Sequence, residues 1–282
     1  MKMRTFSGTV FDQGVVRLAL IFLALGVLYF PVFVELAHVW SVNDNFSHGY
    51  FIPLISGYMI FSLRRELQGQ EVRPWNWGIA LLLSGIALLL AASVASVFFM
   101  QRISLLLVLW GLALFLFGRG YAGKLFVPIA YLVFMIPIPA ILWNKIAFPM
   151  QLFSSALTED IIRLFGVSVY REGNVLVLPQ TSLEVVDACS GLRSLTTMFA
   201  LSAALAWFSQ CALWRKWAIF LSAVPIAVSV NMIRLTATAI LASRYGEKVA
   251  QGFLHEFSGF LVFVLGIFFL WAVYALLGGE KN

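Results

Sequence analysis

The chain predicts an all-α polytopic membrane protein of about eight transmembrane helices, with an extracytoplasmic amphipathic helix and a short β-hairpin ahead of helix 6. Three observations predict it. Of 282 residues, 61% are hydrophobic and only 11% charged, with a mean hydropathy of +0.93, a composition outside that of soluble domains. The apolar residues are gathered into runs of membrane-spanning length. The basic residues behind a net charge of +6 stand in short clusters between those runs, as the positive-inside rule requires. That distribution excludes nucleic acid as a partner and makes membrane lipid the surrounding medium.

The first run, about Val15 to Leu36, follows Lys2, Arg4 and Arg17. It is longer than a signal-peptide core and has no A-x-A site, so it is expected to stay attached as the first span. Further runs cover Tyr50 to Leu63, Trp77 to Phe99, Ile103 to Phe117, Leu125 to Ile141, Leu192 to Phe208, Trp217 to Ala239 and Phe253 to Leu277. The second and fourth fall short of the ~20 residues a bilayer needs. Arg64, Arg65 and Arg73 follow the second run, Arg119 and Lys124 the fourth, Arg215 and Lys216 the sixth, and Lys281 lies near the end of the chain. One side therefore collects most of the loop cations, while Lys145, Arg163, Arg171, Arg244 and Lys248 fall in the other regions, whose long translocated segments count less. That predicts a multi-pass membrane protein with both termini cytoplasmic, and with residues 37–49, 137–191 and about 241–252 outside.

The segment 137–191 reads in two pieces. "WNKIAFPMQLFSSALTEDIIRLFGV" spaces its apolar residues as an interfacial amphipathic helix, bent near Pro149. "GNVLVLPQTSLEVVDACSG" then predicts strands at Val175–Leu178 and Leu183–Val186 around a turn at Pro179–Ser182. No internal repeat or low-complexity tract appears, so 1–282 is expected to be one integral-membrane domain.

Few polar residues lie at membrane depth, and each is a candidate for function. Cys189 precedes the sixth run, where Asp187 or Ser190 can cap the helix and unpaired backbone N–H groups point outward. The helix dipole and Arg193 would both favour its thiolate, the nucleophilic form. Cysteine is also a common buried core residue. Arg234 lies in "SVNMIRLTATAI" near the outer end of the seventh run, with Asn231 on the same helical face. A guanidinium there can stabilise a thiolate or a developing oxyanion, or snorkel to headgroups. His255, in "FLHEFSGFLVF" at the outer start of the eighth run, suits proton transfer, or a solvated cap beside Glu256.

The orientation argument places Cys189, Arg234 and His255 in one leaflet, and together they are the minimum set for acyl transfer through a thioester. Cys211 falls at the other end of the sixth run and receives no role. A disulfide between the two cysteines is not expected, because a membrane-helix length of apolar sequence separates them. No spacing such as HExxH or CxxC marks a metal site among His48, His255 and Cys189, and no cofactor is implied.

"DACSGLRS" around Cys189, "NMIR" ending at Arg234 and "HEFSG" beginning at His255 resemble, in order and spacing, the three motifs of the exosortases, with the archaeosortases as more distant relatives. "NDNFSHGYFIPLISGYMIFSLRREL", residues 43–67, is similar to that family's N-terminal segment and adds Ser47 and His48 as supporting residues. The resemblance implies a cysteine protease or transpeptidase in which Cys189 is the nucleophile, Arg234 stabilises the thiolate or transition state, and His255 is the acid/base. It further implies secreted substrates with a C-terminal PEP-CTERM tail, processed at the periplasmic face of the bacterial cytoplasmic (inner) membrane, an acceptor not visible in this chain, and a link to extracellular polysaccharide and biofilm matrix. A fused C-terminal domain, present in some members, is not expected here.

Two other classes stay open on the residues alone. A transporter would use Arg234, Asn231 and His255 to line an anion path, although repeats and midspan acids are missing. A non-catalytic scaffold of a polysaccharide-export complex would be indifferent to loss of the Cys189 thiol.

Overall fold

A computed structural model describes residues 8–179, 182–185, 192–246 and 253–278, with the side chains of residues 8–15, 192 and 253–258 left out of the description. The expectations for Asp187, Cys189 and Ser190 therefore lie outside the described residues, and His255 enters through its backbone only. The described chain is overwhelmingly helical, as its composition requires, and its contacts divide it into two compact units, residues 1–42 with 65–129 and residues 43–64 with 130–282.

In the first unit, α1 (Gly8–Leu28) and α2 (Phe30–Val42) meet at a 60° bend. Tyr29, at that bend, is fully buried and its hydroxyl lies 2.9 Å from Ser104 Oγ. The short α4 (Arg64–Gln68) leads into α5 (Trp77–Val94), which packs antiparallel on α6 (Phe98–Phe117). Small residues set that approach: a Cβ on Gly111 would lie 2.5 Å from the Leu82 backbone nitrogen, and one on Gly85 2.7 Å from Val108 Cγ2. Without a hydrophobic drive between helices in lipid, such backbone proximity is what makes the pairing favourable. Gly118, at φ +86, ends α6 in a conformation open to glycine, with the Arg73 carbonyl where a side chain would go. α7 (Arg119–Tyr131) follows.

The second unit opens with a 3-10 helix, Asp44–Tyr50, and α3 (Phe51–Ser62), resuming at Ala130 with the end of α7 and a 3-10 turn, Leu132–Met135. The fifth apolar run, expected to span continuously from Leu125 to Ile141, is broken here. Ile136 is extended (ψ 118), as the residue before Pro137 is driven out of the helical region, and Pro139 (ψ 139) is the extended cap from which the next helix starts. α8 (Ala140–Leu164) then runs through Pro149 as one 25-residue helix. The helix is continuous through Pro149, and the break in this region lies ahead of it, at Pro137–Pro139.

The hairpin becomes a three-stranded antiparallel sheet, β1 (Tyr170–Glu172), β2 (Val175–Val177) and β3 (Ser182–Glu184), with Leu176 opposite both Arg171 and Leu183. Its first strand has no apolar alternation; an ion pair to α8 holds it. Glu159, only 13% exposed, accepts from Arg163 Nη2 at 2.6 Å and from Arg171 Nε at 3.0 Å. Leu176, Leu178 and Val185 pack with Ile162 of α8 and with Leu235, Ala239 and Ala242 of the helix described next as α11.

α9 (Leu192–Phe208), α10 (Leu213–Leu221), α11 (Ala223–Tyr245) and α12 (Phe253–Gly278) complete the unit. α11 extends past Ala239 to Gly246, whose φ of +82 and N–H bond to the Ala242 carbonyl close it. Arg234 is therefore roughly three turns inside the helix rather than near its end. All eight apolar runs contain helix, yet four described helices are long and apolar enough to cross a membrane, or up to six if each bent pair is one span. α3, at 12 residues, and α9, at 17, fall short of that length.

Candidate functional site

The site is built first by the segment Asn43–Tyr50. Asn43 caps the 3-10 helix by accepting from the Asn45 N–H at 3.0 Å, and the Ser47 hydroxyl donates to the Asp44 carbonyl at 3.0 Å. Buried Phe46 packs edge-on against Trp143 of α8, with centroids 5.4 Å apart. These local bonds satisfy a short helix that could not hold its shape alone. They also fix the turn that presents Ser47 and His48. The imidazole of His48 donates to the Phe134 carbonyl, and burial, by penalising the charged form, holds its pKa below the ordinary 6.5 against the opposing pull of that hydrogen bond.

Arg193, in the first turn of α9, reaches the same segment. Its Nε donates to Asn45 Oδ1 at 2.9 Å, and its Nη2 stands 3.6 Å from Asp44 Oδ2. The Thr197 hydroxyl donates to the Arg193 carbonyl at 2.9 Å. Lower on α9, the Ala200 carbonyl accepts from the Tyr131 hydroxyl at 3.1 Å. On α11, Arg234 Nη2 donates to Oδ1 of Asn231 at 3.0 Å. Asn231 is only 1% exposed, so its amide is a fixed acceptor for the guanidinium.

A cavity of about 540 Å³ joins these groups. Asp44, Ser47, His48, Arg193, Ser194, Thr197 and Arg234 give it polar walls. Phe51, Ile52 and Ile55 of α3, with Phe263 and Ile267 of α12, give it apolar ones, and Gly259 leaves α12 without a side chain at its edge. That volume and mixture fit a ligand the size of a short peptide segment or a headgroup with an apolar stem. Two guanidiniums facing one space can stabilise a carboxylate or an oxyanion as it develops. A neutral imidazole beside them can accept a proton.

Four of the residues singled out in the sequence, Ser47, His48, Arg193 and Arg234, thus line one cavity, and Asn231 supports the last of them. α12 reaches the cavity at Gly259, one turn beyond the backbone of His255. Arg193 carries a bond that the sequence reading missed, since its guanidinium is turned to Asn45 and Asp44. Asp44, Asn45, Tyr131 and Thr197 were also missed. Asp44 and Asn45 stood in plain view in "NDNFSHGY", but only the fold pairs them with a residue so distant in sequence.

The described residues on either side of 186–191 are hydrogen-bonded. Before it, the Val185 N–H donates to the Asn174 carbonyl at 2.9 Å, and Asn174 Nδ2 donates to the Val185 carbonyl at 3.3 Å. After it comes Arg193, bonded as above, so Cys189 is midway in sequence between two anchored residues. Cys211 is a free thiol, its sulfur 3.2 Å from Ser209 Oγ, and it does not line the cavity. Among the described residues no group of His, Cys, Asp or Glu could hold a metal ion.

Comparison with known proteins gives one finding: the family described as "Transmembrane exosortase" matches residues 40–272. The match contains every residue that lines the cavity. No curated protein and no solved structure matches the chain.

Proposed function

Since the chain belongs to the transmembrane exosortase family, we propose that it is a membrane-embedded cysteine transpeptidase or protease that processes secreted proteins at a C-terminal PEP-CTERM sorting signal. In this reading Cys189 attacks the scissile carbonyl, Arg234 stabilises the thiolate and then the oxyanion, and His255 protonates the leaving amine. The tail's own membrane helix would lie beside the enzyme, with its motif at the periplasmic face of the inner membrane. An acceptor amine or water then resolves the thioester, and the products join the extracellular polysaccharide matrix.

The observation that carries the reading is the shared cavity. It collects Arg234, Arg193, Ser47 and His48, all residues of the motifs that resemble the family's, between walls from α3, α9, α11 and α12. Asn231 orients Arg234 toward chemistry rather than toward headgroups, because an acceptor that is buried is useless to a snorkelling side chain.

Co-expression of a PEP-CTERM-tailed protein with wild type and with Cys189→Ala tests it. Mass spectrometry should show a truncated or conjugated C-terminus with wild type and an intact tail with Cys189→Ala. Processing retained in Cys189→Ala overturns the cysteine mechanism and leaves the scaffold reading in its place.

A further inference from the structure

Of the two arginines that line the cavity among the described residues, the acyl-transfer scheme above uses Arg234 and leaves Arg193 without a part. Two arginines that brace the fold, Arg163 and Arg171, both close on Glu159, at 2.6 and 3.0 Å. Arg193 is held differently. Its Nε donates to the neutral amide of Asn45 at 2.9 Å. The Asp44 carboxylate stands 3.6 Å from Nη2, past hydrogen-bond length, and is largely exposed, so water screens it. An amide fixes the direction of a guanidinium without cancelling its charge.

Among the described residues, none hydrogen-bonds either Nη of Arg193. Those two nitrogens form the end of a planar fork, the shape that meets both oxygens of one carboxylate. The side chain is partly exposed and lines the cavity, so a ligand there can reach it. The other walls say what accompanies the acid. Phe51 and Ile55 of α3, with Phe263 and Ile267 of α12, line the same space of about 540 Å³. A lone inorganic anion would leave those side chains facing water. An acidic side chain between apolar neighbours on one peptide covers them as its carboxylate meets Arg193.

We infer that Arg193 is the specificity-determining residue of the cavity: it binds the carboxylate of one acidic side chain in the substrate's sorting motif, and the apolar residues beside that acid rest on α3 and α12. This rests on the proposed function of the chain in processing tailed proteins. An amide in place of the acid would turn an N–H toward the fork and leave guanidinium N–H groups unpaired in a space with apolar walls. That cost is the source of selectivity. Asn45 is then the residue that keeps the fork aimed.

The test is a double-mutant cycle read as binding. Full-length Cys189→Ala protein in detergent, which holds a tail without turning it over under the proposed mechanism, is titrated with the dye-labelled C-terminal tail of a PEP-CTERM protein. Each acid of the tail's motif is replaced in turn by its amide, and the titrations are repeated with Arg193→Gln and Arg193→Lys added. One acid-to-amide change should weaken binding about 10- to 100-fold when Arg193 is present. The same change should cost less than about threefold in Arg193→Gln, with Arg193→Lys in between. The tail-side changes alone decide the matter if an Arg193 variant does not fold: no loss from any amide overturns the inference. So does Arg193→Gln that weakens every tail equally and keeps the acid-to-amide difference, the mark of a merely structural residue. Arg193-dependent retention of anionic phospholipid, with tail binding independent of Arg193, assigns the residue to a lipid headgroup and overturns it too. Wild-type processing of the tailed protein, run in parallel, separates the two claims. Processing without Arg193-dependent discrimination removes this inference alone, and no processing removes the proposed function together with it.

Discussion

Arg193 Nε donates a 2.9 Å hydrogen bond to Asn45 Oδ1 across a sequence separation of 148 residues. The bond ties the first turn of α9 to the 3-10 helix that presents Ser47 and His48. The nearby carboxylate of Asp44 is 77% exposed and 3.6 Å away, so solvent screens most of its charge. The neutral amide therefore matters more than the acid. Asn45→Ala is expected to slow tail processing about tenfold, since a hydrogen bond to a charged group contributes roughly 1.5–3 kcal/mol. Asp44→Asn should stay within about twofold of wild type. Rates of tail release from purified protein check this; equal damage from the two substitutions would refute the ranking.

Asn231 predicts the behaviour of Arg234. With the amide removed, the guanidinium loses a buried acceptor, and under the proposed mechanism its aim at the scissile carbonyl loosens. Asn231→Ala should lower kcat by about 10- to 100-fold, with KM changing much less. Arg234→Lys should be no better than Arg234→Ala, because an ammonium cannot hold Asn231 and the oxyanion through one planar fork. A pure KM effect in Asn231→Ala would assign the pair to substrate binding.

Glu159 carries the sheet. Its two oxygens serve Arg163 and Arg171 at 2.6 and 3.0 Å, and at 13% exposed it is the least hydrated member of the network. Glu159→Gln should destabilise the sheet by about 1–3 kcal/mol, seen as faster amide exchange at Val175–Val177. Arg163→Ala, removing a side chain that is 56% exposed, should cost below about 1 kcal/mol. Protection unchanged in Glu159→Gln would show that the Leu176 and Val185 packing suffices.

His48 gives the fold a pH dependence whose sign is set by its lowered pKa. Between the folded value and the ordinary 6.5, the unfolded chain binds more protons than the folded one, so stability rises with pH there. The contribution is complete above 6.5 and is lost as pH falls through the folded value. Thermal melts in detergent at neutral and mildly acid pH should show wild type losing more stability on acidification than His48→Gln. A wild type that gains relative to His48→Gln would reverse the assignment of the ring as buried and neutral.

Several tertiary features were legible because they are written in local chemistry. Asn231 and Arg234 had to share a helical face at a separation of three, and they are hydrogen-bonded. The strands expected at Val175–Leu178 and Leu183–Val186 are found at Val175–Val177 and Ser182–Glu184, the second taking in Ser182 from the expected turn. Strand β1 was not legible, because its Tyr-Arg-Glu owes its place to Glu159 on α8. The extent of α11 was misjudged for a similar reason. Hydropathy falls at Ser243 and Arg244, but the helix ends where Gly246 can turn left-handed, not where the chain becomes polar.

By itself the sequence determined that this chain belongs in a bilayer and which residue types carry its motifs, since composition and spacing are properties of the chain alone. Which of those residues share a space was decided only by the tertiary structure. A hydrogen bond such as Arg193 to Asn45, or a cavity walled by α3, α9, α11 and α12, depends on how separate helices pack. Helix packing in lipid is governed by small residues and buried polar partners that leave little trace in hydropathy. His48 shows the difference most clearly: its identity was visible at once, but its bond to the Phe134 carbonyl and the burial around it came only with the fold.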